Sequence, residues 1–241
     1  MDIVQQGPVT QLKDIGHEIH VWHAPLDREP DFLQRLEATL SNDERARADR
    51  FRFVRDRNDF LVARGLLRKL LGRYLDQSPA DVEFCYGQHG KPSLSIANSC
   101  NGVCFNLSHS SGLVVYAIAR GRNLGIDVEF VRSGSAHEDI AKQYFSLREL
   151  RDLNSLPSEK RDEGFYDCWT RKEAYLKARG TGLQIPLDSF AVTVSPDRPA
   201  QFLEGVESCW HLVSYRPAKG FVAAVVYDGP YCPIKYFSLD S

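Results

Sequence analysis

The sequence predicts an α+β fold built from two related halves, each a small antiparallel sheet with packed helices. Three observations carry that prediction. Strand-like runs and helices recur in both halves without the strict strand–helix–strand alternation of a doubly wound parallel sheet. Each half contains a capping box that opens a helix, Ser41-Asn42-Asp43-Glu44 in the first and Ser146-Leu147-Arg148-Glu149 in the second. No low-complexity linker divides the chain, so the boundary is drawn at a short turn, giving residues 1–122 and 123–241.

The elements follow in order. After a polar lead, Glu18-Ile19-His20-Val21-Trp22-His23 reads as a strand. Ser41 starts a helix expected to continue through the arginine-rich stretch that follows. Residues 59–74 form a second helix, with Phe60, Ala63, Leu66, Leu67, Leu70 and Leu71 on its apolar side. Gly87 to Pro92 is a loop, punctuated by two glycines and a proline. The runs 113–119 and 124–130 are strands, and the turn-forming Arg120-Gly121-Arg122-Asn123 between them predicts a hairpin. A long helix runs from about Glu159 to Gly180, the residue type expected just beyond a helix end. Strands at 190–194, 211–215 and 221–227 close the chain.

Composition narrows the class. With 241 residues, 43% of them hydrophobic and 26% charged, the chain suits a soluble globular protein with a sizeable core. No apolar run reaches the length of a membrane span, and the N-terminus lacks the basic and apolar regions of a signal peptide. A cytoplasmic protein with no membrane role is expected. The six cysteines (Cys85, Cys100, Cys104, Cys168, Cys209 and Cys232) are scattered and read as reduced and structural, since no second Cys/His pair follows Cys100 and Cys104 at zinc spacing. His17, His20 and His23 fit neither helical nor strand-face ligand spacing and are also read as structural.

The net charge of −2 hides an asymmetry: Arg45 to Arg73 holds ten Lys/Arg against three Asp, and the rest of the chain is acidic. Such a segment suits a phosphate-rich ligand or an acidic partner, with a solvated helix face as the plain alternative. Nucleic acid is disfavoured by the pI of 6.4 and by the missing aromatic interleaving.

The most informative segment is Gly125-Ile126-Asp127-Val128-Glu129-Phe130. Side chains alternate along a strand, so Ile126, Val128 and Phe130 face a core while Asp127 and Glu129 share the other face. Two neighbouring carboxylates repel and call for a cation or a shared proton, although half-buried strands also carry acids on a wet face. The helix segment Trp169-Thr170-Arg171-Lys172-Glu173-Ala174-Tyr175-Leu176-Lys177 adds a third acid. Phe165, Trp169 and Leu176 make its buried stripe, and Glu173 sits at the stripe's edge. A surface Glu173–Lys177 pair at i,i+4 is the bland reading; three oxygen ligands for Mg²⁺ at a phosphate substrate is the sharp one. Ahead of these, Phe105-Asn106-Leu107-Ser108-His109-Ser110 offers a hydroxyl and an imidazole, suited to a pyrophosphate or else to a strand-end cap.

Taken together, Gly90-Lys91-Pro92, the Phe105–Ser110 segment, the Asp127/Glu129 strand and the Trp169–Lys177 helix resemble the Sfp-type 4′-phosphopantetheinyl transferases, over about residues 40–190. Gly180-Thr181-Gly182-Leu183 and Pro186-Leu187-Asp188-Ser189-Phe190 extend the likeness. The resemblance implies a pseudo-twofold α+β monomer that binds coenzyme A between its halves. Such an enzyme moves phosphopantetheine onto a serine of an acyl, polyketide or peptidyl carrier protein. It implies Asp127, Glu129 and Glu173 as ligands of Mg²⁺ (or Mn²⁺), and Lys91 and Pro92 at the adenine. Ser108, His109 and Lys177 would sit at the phosphates, with Arg47 and Arg64 on the 3′-phosphate side. Glu173 would be the general base, directly or through a metal-bound water, with Glu129 as the alternative. Lys177 and His109 would stabilise developing charge. One position departs from the pattern: Glu44 stands where some relatives are basic. Arg52, Arg55 and Arg57 remain for an acidic carrier. A nucleotide hydrolase and a non-catalytic coenzyme A-binding module are the competing classes.

Overall fold

Two sheets meet along one seam, and a long helix lies on the outer face of each. The computed structural model describes residues 15–87, 91–95, 102–134, 136–180 and 184–239. The first sheet has the order β11-β1-β5-β4, with β1 at Ile19–Pro25, β4 at Val103–Ser110, β5 at Leu113–Arg120 and β11 at Ile234–Ser238. The second has the order β6-β10-β9, with β6 at Leu124–Phe130, β9 at Trp210–Tyr215 and β10 at Phe221–Asp228. Two small ribbons join β2 (Phe84–Tyr86) to β3 (Pro92–Leu94), and β7 (Ala191–Val192) to β8 (Phe202–Glu204). Among the described residues six α-helices complete the fold: α1 (Pro30–Glu37), α2 (Asn42–Ala48), α3 (Val54–Leu75), α4 (Ala136–Tyr144), α5 (Leu147–Ser155) and α6 (Ser158–Arg179). The α+β expectation holds, and among the described residues all the strand pairings are antiparallel except β1 with β11. That exception brings the end of the chain back to the first sheet. No helix among the described residues is long and apolar enough to cross a membrane.

The core forms three layers. Leu66, Leu67, Leu70 and Leu71 of α3 pack on the first sheet, and Phe165, Ala174 and Leu176 of α6 lie over the second. Between the sheets, Val115 and Ala117 of β5 meet Ile126 and Val128 of β6 and Val225 of β10.

Two expectations are corrected. The runs 113–119 and 124–130 are not a hairpin. Every residue of β5 from Leu113 to Ala119 is buried, so the strand needs a partner on both edges, and β1 and β4 supply them. The tight turn is Ser111-Gly112, both at positive φ (47° and 85°). The connection Arg120–Asn123 instead crosses to the second sheet, where Asp228 accepts from the backbone and side-chain amides of Asn123. The basic helix is also not continuous. It stops after Ala48 and restarts at Val54, because Glu44 turns inward: its carboxylate is 1% exposed and lies 2.6 Å from Arg68 of α3. A straight helix would carry Glu44 away from that partner. Residues 1–14, Gly90, Cys100 and 181–183 fall outside the described residues.

Candidate active site

The seam between the sheets is made by side chains. β4 and β6 run side by side without a shared backbone ladder, and alternate residues of β4 bridge the gap. Asn106 Oδ1 accepts from the Ile126 amide at 2.9 Å, and Ser108 Oγ donates to Asp127 Oδ1 at 2.7 Å. Ser110 Oγ donates to Glu129 Oε2 at 2.7 Å and accepts from the Phe130 amide. Strand alternation puts Asn106, Ser108 and Ser110 on one face, so a single period-2 pattern locks both acids of β6.

Helix α6 lies over β6 because Gly125 lets it. A Cβ at Gly125 would stand 2.1 Å from the Ala174 carbonyl oxygen and 2.3 Å from the Ala178 nitrogen. Helix and strand therefore touch backbone to backbone, with Glu173 and Lys177 over the acids. Buried cations fix the helix in rotation. Arg171 donates to the Thr193 carbonyl at 2.6 Å and to Ser214 Oγ at 3.0 Å. Lys172, fully buried, donates to the Leu187 and Phe190 carbonyls and pairs with Glu149 at 2.8 Å. Glu149 also receives the Ser146 amide of its capping box and the Val192 amide. One carboxylate thus caps α5, anchors β7 and holds α6.

At the centre, Lys177 Nζ donates to Asp127 Oδ1 at 2.6 Å and to Ser108 Oγ at 2.9 Å. The surface pair of Glu173 with Lys177 is not formed among the described residues; the ammonium turns to the strand instead. Burial pushes the carboxyl of Glu173 above the ordinary range, and Asp127 and Glu129 add to the rise while Lys177 opposes it. Glu129 is also raised, first by burial and then by Asp127, against the hydrogen bond from Ser110. Three acids are thus near enough to repel, yet no three His, Cys, Asp or Glu side chains among the described residues close into a metal-holding group. Asp127 is 4% exposed, and its Oδ2 is buried with no hydrogen-bond partner. An orphaned carboxylate oxygen between two acids of raised proton affinity fits a cation of hard, oxygen-seeking character.

The other predicted residues occupy the flanks. His109 lies on the opposite face of β4 from Ser108, toward α3. Burial lowers its pKa from the ordinary histidine value, with Lys177 adding to the fall while Asp59 and Asp127 oppose it. Lys91 Nζ donates to the Lys177 and Leu124 carbonyls, tying the loop before β3 to the end of α6 and the start of β6. Pro92 pairs across the ribbon with Tyr86, which lies over Arg64. Arg64 is 5% exposed and ringed by Phe60, Phe84 and Tyr86, with one guanidinium nitrogen, Nη1, left unpartnered. Arg47, exposed, stacks on Phe60 beside it. Glu44 reaches Arg64 only at 3.5 Å. Arg47 and Arg64 thus form a separate corner from the Lys177 centre. His20, as expected, is structural: it bonds Tyr74.

Sequence reasoning passed over Asn106, Ser110, Gly125 and the burial of Arg171 and Lys172. The alternation Asn106-x-Ser108-x-Ser110 was a usable signal, since three small polar residues on one strand face need partners. No such signal marked Lys172, because its acid lies 23 residues upstream on another helix.

The seam therefore carries three carboxylates with an ammonium and a hydroxyl at its centre, and an imidazole and a buried arginine on its flanks. Comparison with known proteins gives the class a name. Residues 123–226 match the model of the 4′-phosphopantetheinyl transferase superfamily, and residues 23–120 match that of the 4′-phosphopantetheinyl transferase N-terminal domain. The chain is 42% identical over 215 residues to the 4′-phosphopantetheinyl transferase HetI of Nostoc sp., covering 89% of this chain and 90% of that protein. It is 30% identical to the 4′-phosphopantetheinyl transferase Sfp of Bacillus subtilis, over 87% of this chain and 90% of that one. The chain belongs to the 4′-phosphopantetheinyl transferase family, in its Sfp-type branch.

Proposed function

We propose that this chain transfers the 4′-phosphopantetheine of coenzyme A to a serine hydroxyl of an apo carrier protein of acyl, polyketide or peptidyl type. In the step, the serine oxygen forms a bond to the β-phosphorus, the bond to 3′,5′-ADP breaks, and the hydroxyl proton passes to a carboxylate. The observation that carries the reading is the buried centre, where Lys177 and Ser108 meet one oxygen of Asp127 and leave the other bare beside Glu129 and Glu173.

Asp127, Glu129 and Glu173 would hold Mg²⁺, or Mn²⁺ in its place, and the ion would neutralise pyrophosphate charge when bound. Glu173 would accept the serine proton, directly or through a metal-bound water, since proton transfer needs an acceptor within hydrogen-bond reach. Glu129 is the alternative. Lys177, whose ammonium is held by Ser108 and Asp127, would stabilise the charge that grows on the phosphoryl oxygens. His109 would donate to a phosphate from the α3 side. Arg64, with an unused donor in an aromatic ring, and exposed Arg47 would take the 3′-phosphate, while Lys91 and Pro92 would border the adenine.

In this proposal residues 1–122 supply the nucleotide side and residues 123–241 the acids and Lys177, with β11 returning across the boundary. The cytoplasmic monomer expected from the sequence is part of the same reading. The test is intact mass of apo carrier proteins after incubation with this protein, coenzyme A and Mg²⁺. Release of 3′,5′-ADP in the absence of any carrier would point to a hydrolase instead.

A further inference from the structure

The strongest unexplained feature lies at the start of α3, away from the carboxylates. Phe53 and Val54 are 61% and 74% exposed, and Phe51 beside them 38%. Apolar side chains this open, clustered on one turn, mark a contact surface more often than scattered ones do. The turn is also cationic, and its arginines divide into two groups. Arg45 donates to the Leu40 carbonyl, Arg57 pairs with Glu37, and Arg68 pairs with Glu44. Arg52 and Arg55 make no ion pair among the described residues; Arg52 only lies over the Phe53 ring. Beside the patch opens a cavity of about 440 Å³, in whose lining the apolar Leu26, Leu33 and Val54 stand among polar groups that include Arg28 and Arg55 and the acids Asp27 and Asp59. One lining residue, Gly112, belongs to the turn that follows β4, two residues from Ser110, which holds Glu129.

Resting on the proposed function, we infer that the Phe51–Arg55 turn and its cavity are the docking surface for the carrier protein. An apolar side chain of the carrier helix next to the modified serine seats in the cavity, and acidic residues of that helix meet Arg52 and Arg55. Charge complementarity favours this occupant, since the turn is the cationic part of an otherwise acidic chain and would repel basic surfaces. Its position favours it too, because the cavity shares Gly112 with the turn that ends β4, the strand that carries Ser108 and Ser110. A second copy of this chain is disfavoured, because the patch would meet its own arginines.

The test uses the full-length protein with an apo carrier that the unaltered enzyme modifies. Phe53→Ser with Val54→Ser changes only exposed side chains and should leave the fold intact by circular dichroism. The expected result is a rise in the Michaelis constant for the carrier of about fivefold or more, with turnover at saturating carrier and coenzyme A affinity unchanged. Arg55→Glu should raise it likewise and flatten its salt dependence. Transfer with an unchanged carrier Michaelis constant in both variants overturns this inference alone. A change in oligomeric state on size exclusion, with carrier kinetics unmoved, overturns it in favour of self-association. No transfer by the unaltered protein to any carrier overturns the function itself, and this inference with it.

Discussion

Glu173 and Glu129 hold protons more tightly in the folded chain than the ordinary carboxylate value of 4.5. A folded-state pKa above the unfolded one means that the folded protein binds more protons between those values, so ionisation of these acids works against folding at neutral pH. That penalty fades as the pH falls through the raised values toward 4.5. Glu173→Gln should therefore raise the melting temperature of the metal-free protein at neutral pH, with the gain shrinking toward zero as the pH falls below the ordinary value of 4.5, where the acid is largely neutral in both the folded and the unfolded chain. The same variant should lose transfer and most of the thermal stabilisation that Mg²⁺ gives the unaltered protein. Melting curves at neutral and acid pH, with and without Mg²⁺, check this; a less stable variant at neutral pH would contradict it. Asp127→Ala should keep the fold yet lose nearly all transfer, because it removes charge from a polar seam rather than volume from a core. Lys172 is the opposite case. Lys172→Met leaves Glu149 charged and buried without its partner and should cost about 3–5 kcal/mol in urea denaturation. Adding Glu149→Gln should restore much of that loss, since the uncompensated charge is then gone.

Among elements, α6 and β6 act as one unit, because Gly125 allows their backbones to touch. Gly125→Ala should lower both stability and transfer, although residue 125 bears no chemistry, since its Cβ meets backbone atoms that have no room to move aside. Thermal unfolding and carrier turnover measured together check it; a variant with normal values of both would mean that the strand and helix can separate freely. This unit also separates what the sequence made legible from what it did not. The strand alternation of Asp127 and Glu129, the capping boxes, the long helix and its Gly180 end were all readable, because each follows from local spacing. The predicted hairpin of β5 with β6 was misread, because local turn residues between two strands say nothing of competing partners; total burial of β5 decided the pairing. The helix expected to run from Ser41 through the arginine-rich stretch failed for a similar reason: it breaks after Ala48, and the contact of Glu44 with Arg68 across the two helices has no local sequence signal. The seam hydrogen bonds were half-legible, as the polar face of β4 was visible but not the strand it would meet.

At the scale of the whole molecule, the charge is divided so that attraction to an acidic partner is local. Raising salt from low to physiological strength should raise the Michaelis constant for the carrier several-fold and leave turnover at saturating carrier nearly unchanged, since exposed charges are screened within about 10 Å at 0.1 M salt and act mainly on association. Arg57, which the sequence offered to the carrier, is held by Glu37 and Asp49, so its reversal should loosen α1 against α3 rather than alter that salt slope. A salt-insensitive Michaelis constant would return the basic turn to a solvated helix face. The central claim is that the Asp127, Glu129, Glu173 and Lys177 centre joins two halves into one phosphopantetheine-transfer site. Its most direct test is the intact mass of an apo carrier protein incubated with coenzyme A, Mg²⁺ and either the unaltered chain or Asp127→Ala. The account predicts a gain of one phosphopantetheine on the carrier serine with the first and none with the second. A carrier of unchanged mass with the unaltered chain, or the same gain with Asp127→Ala, would contradict it.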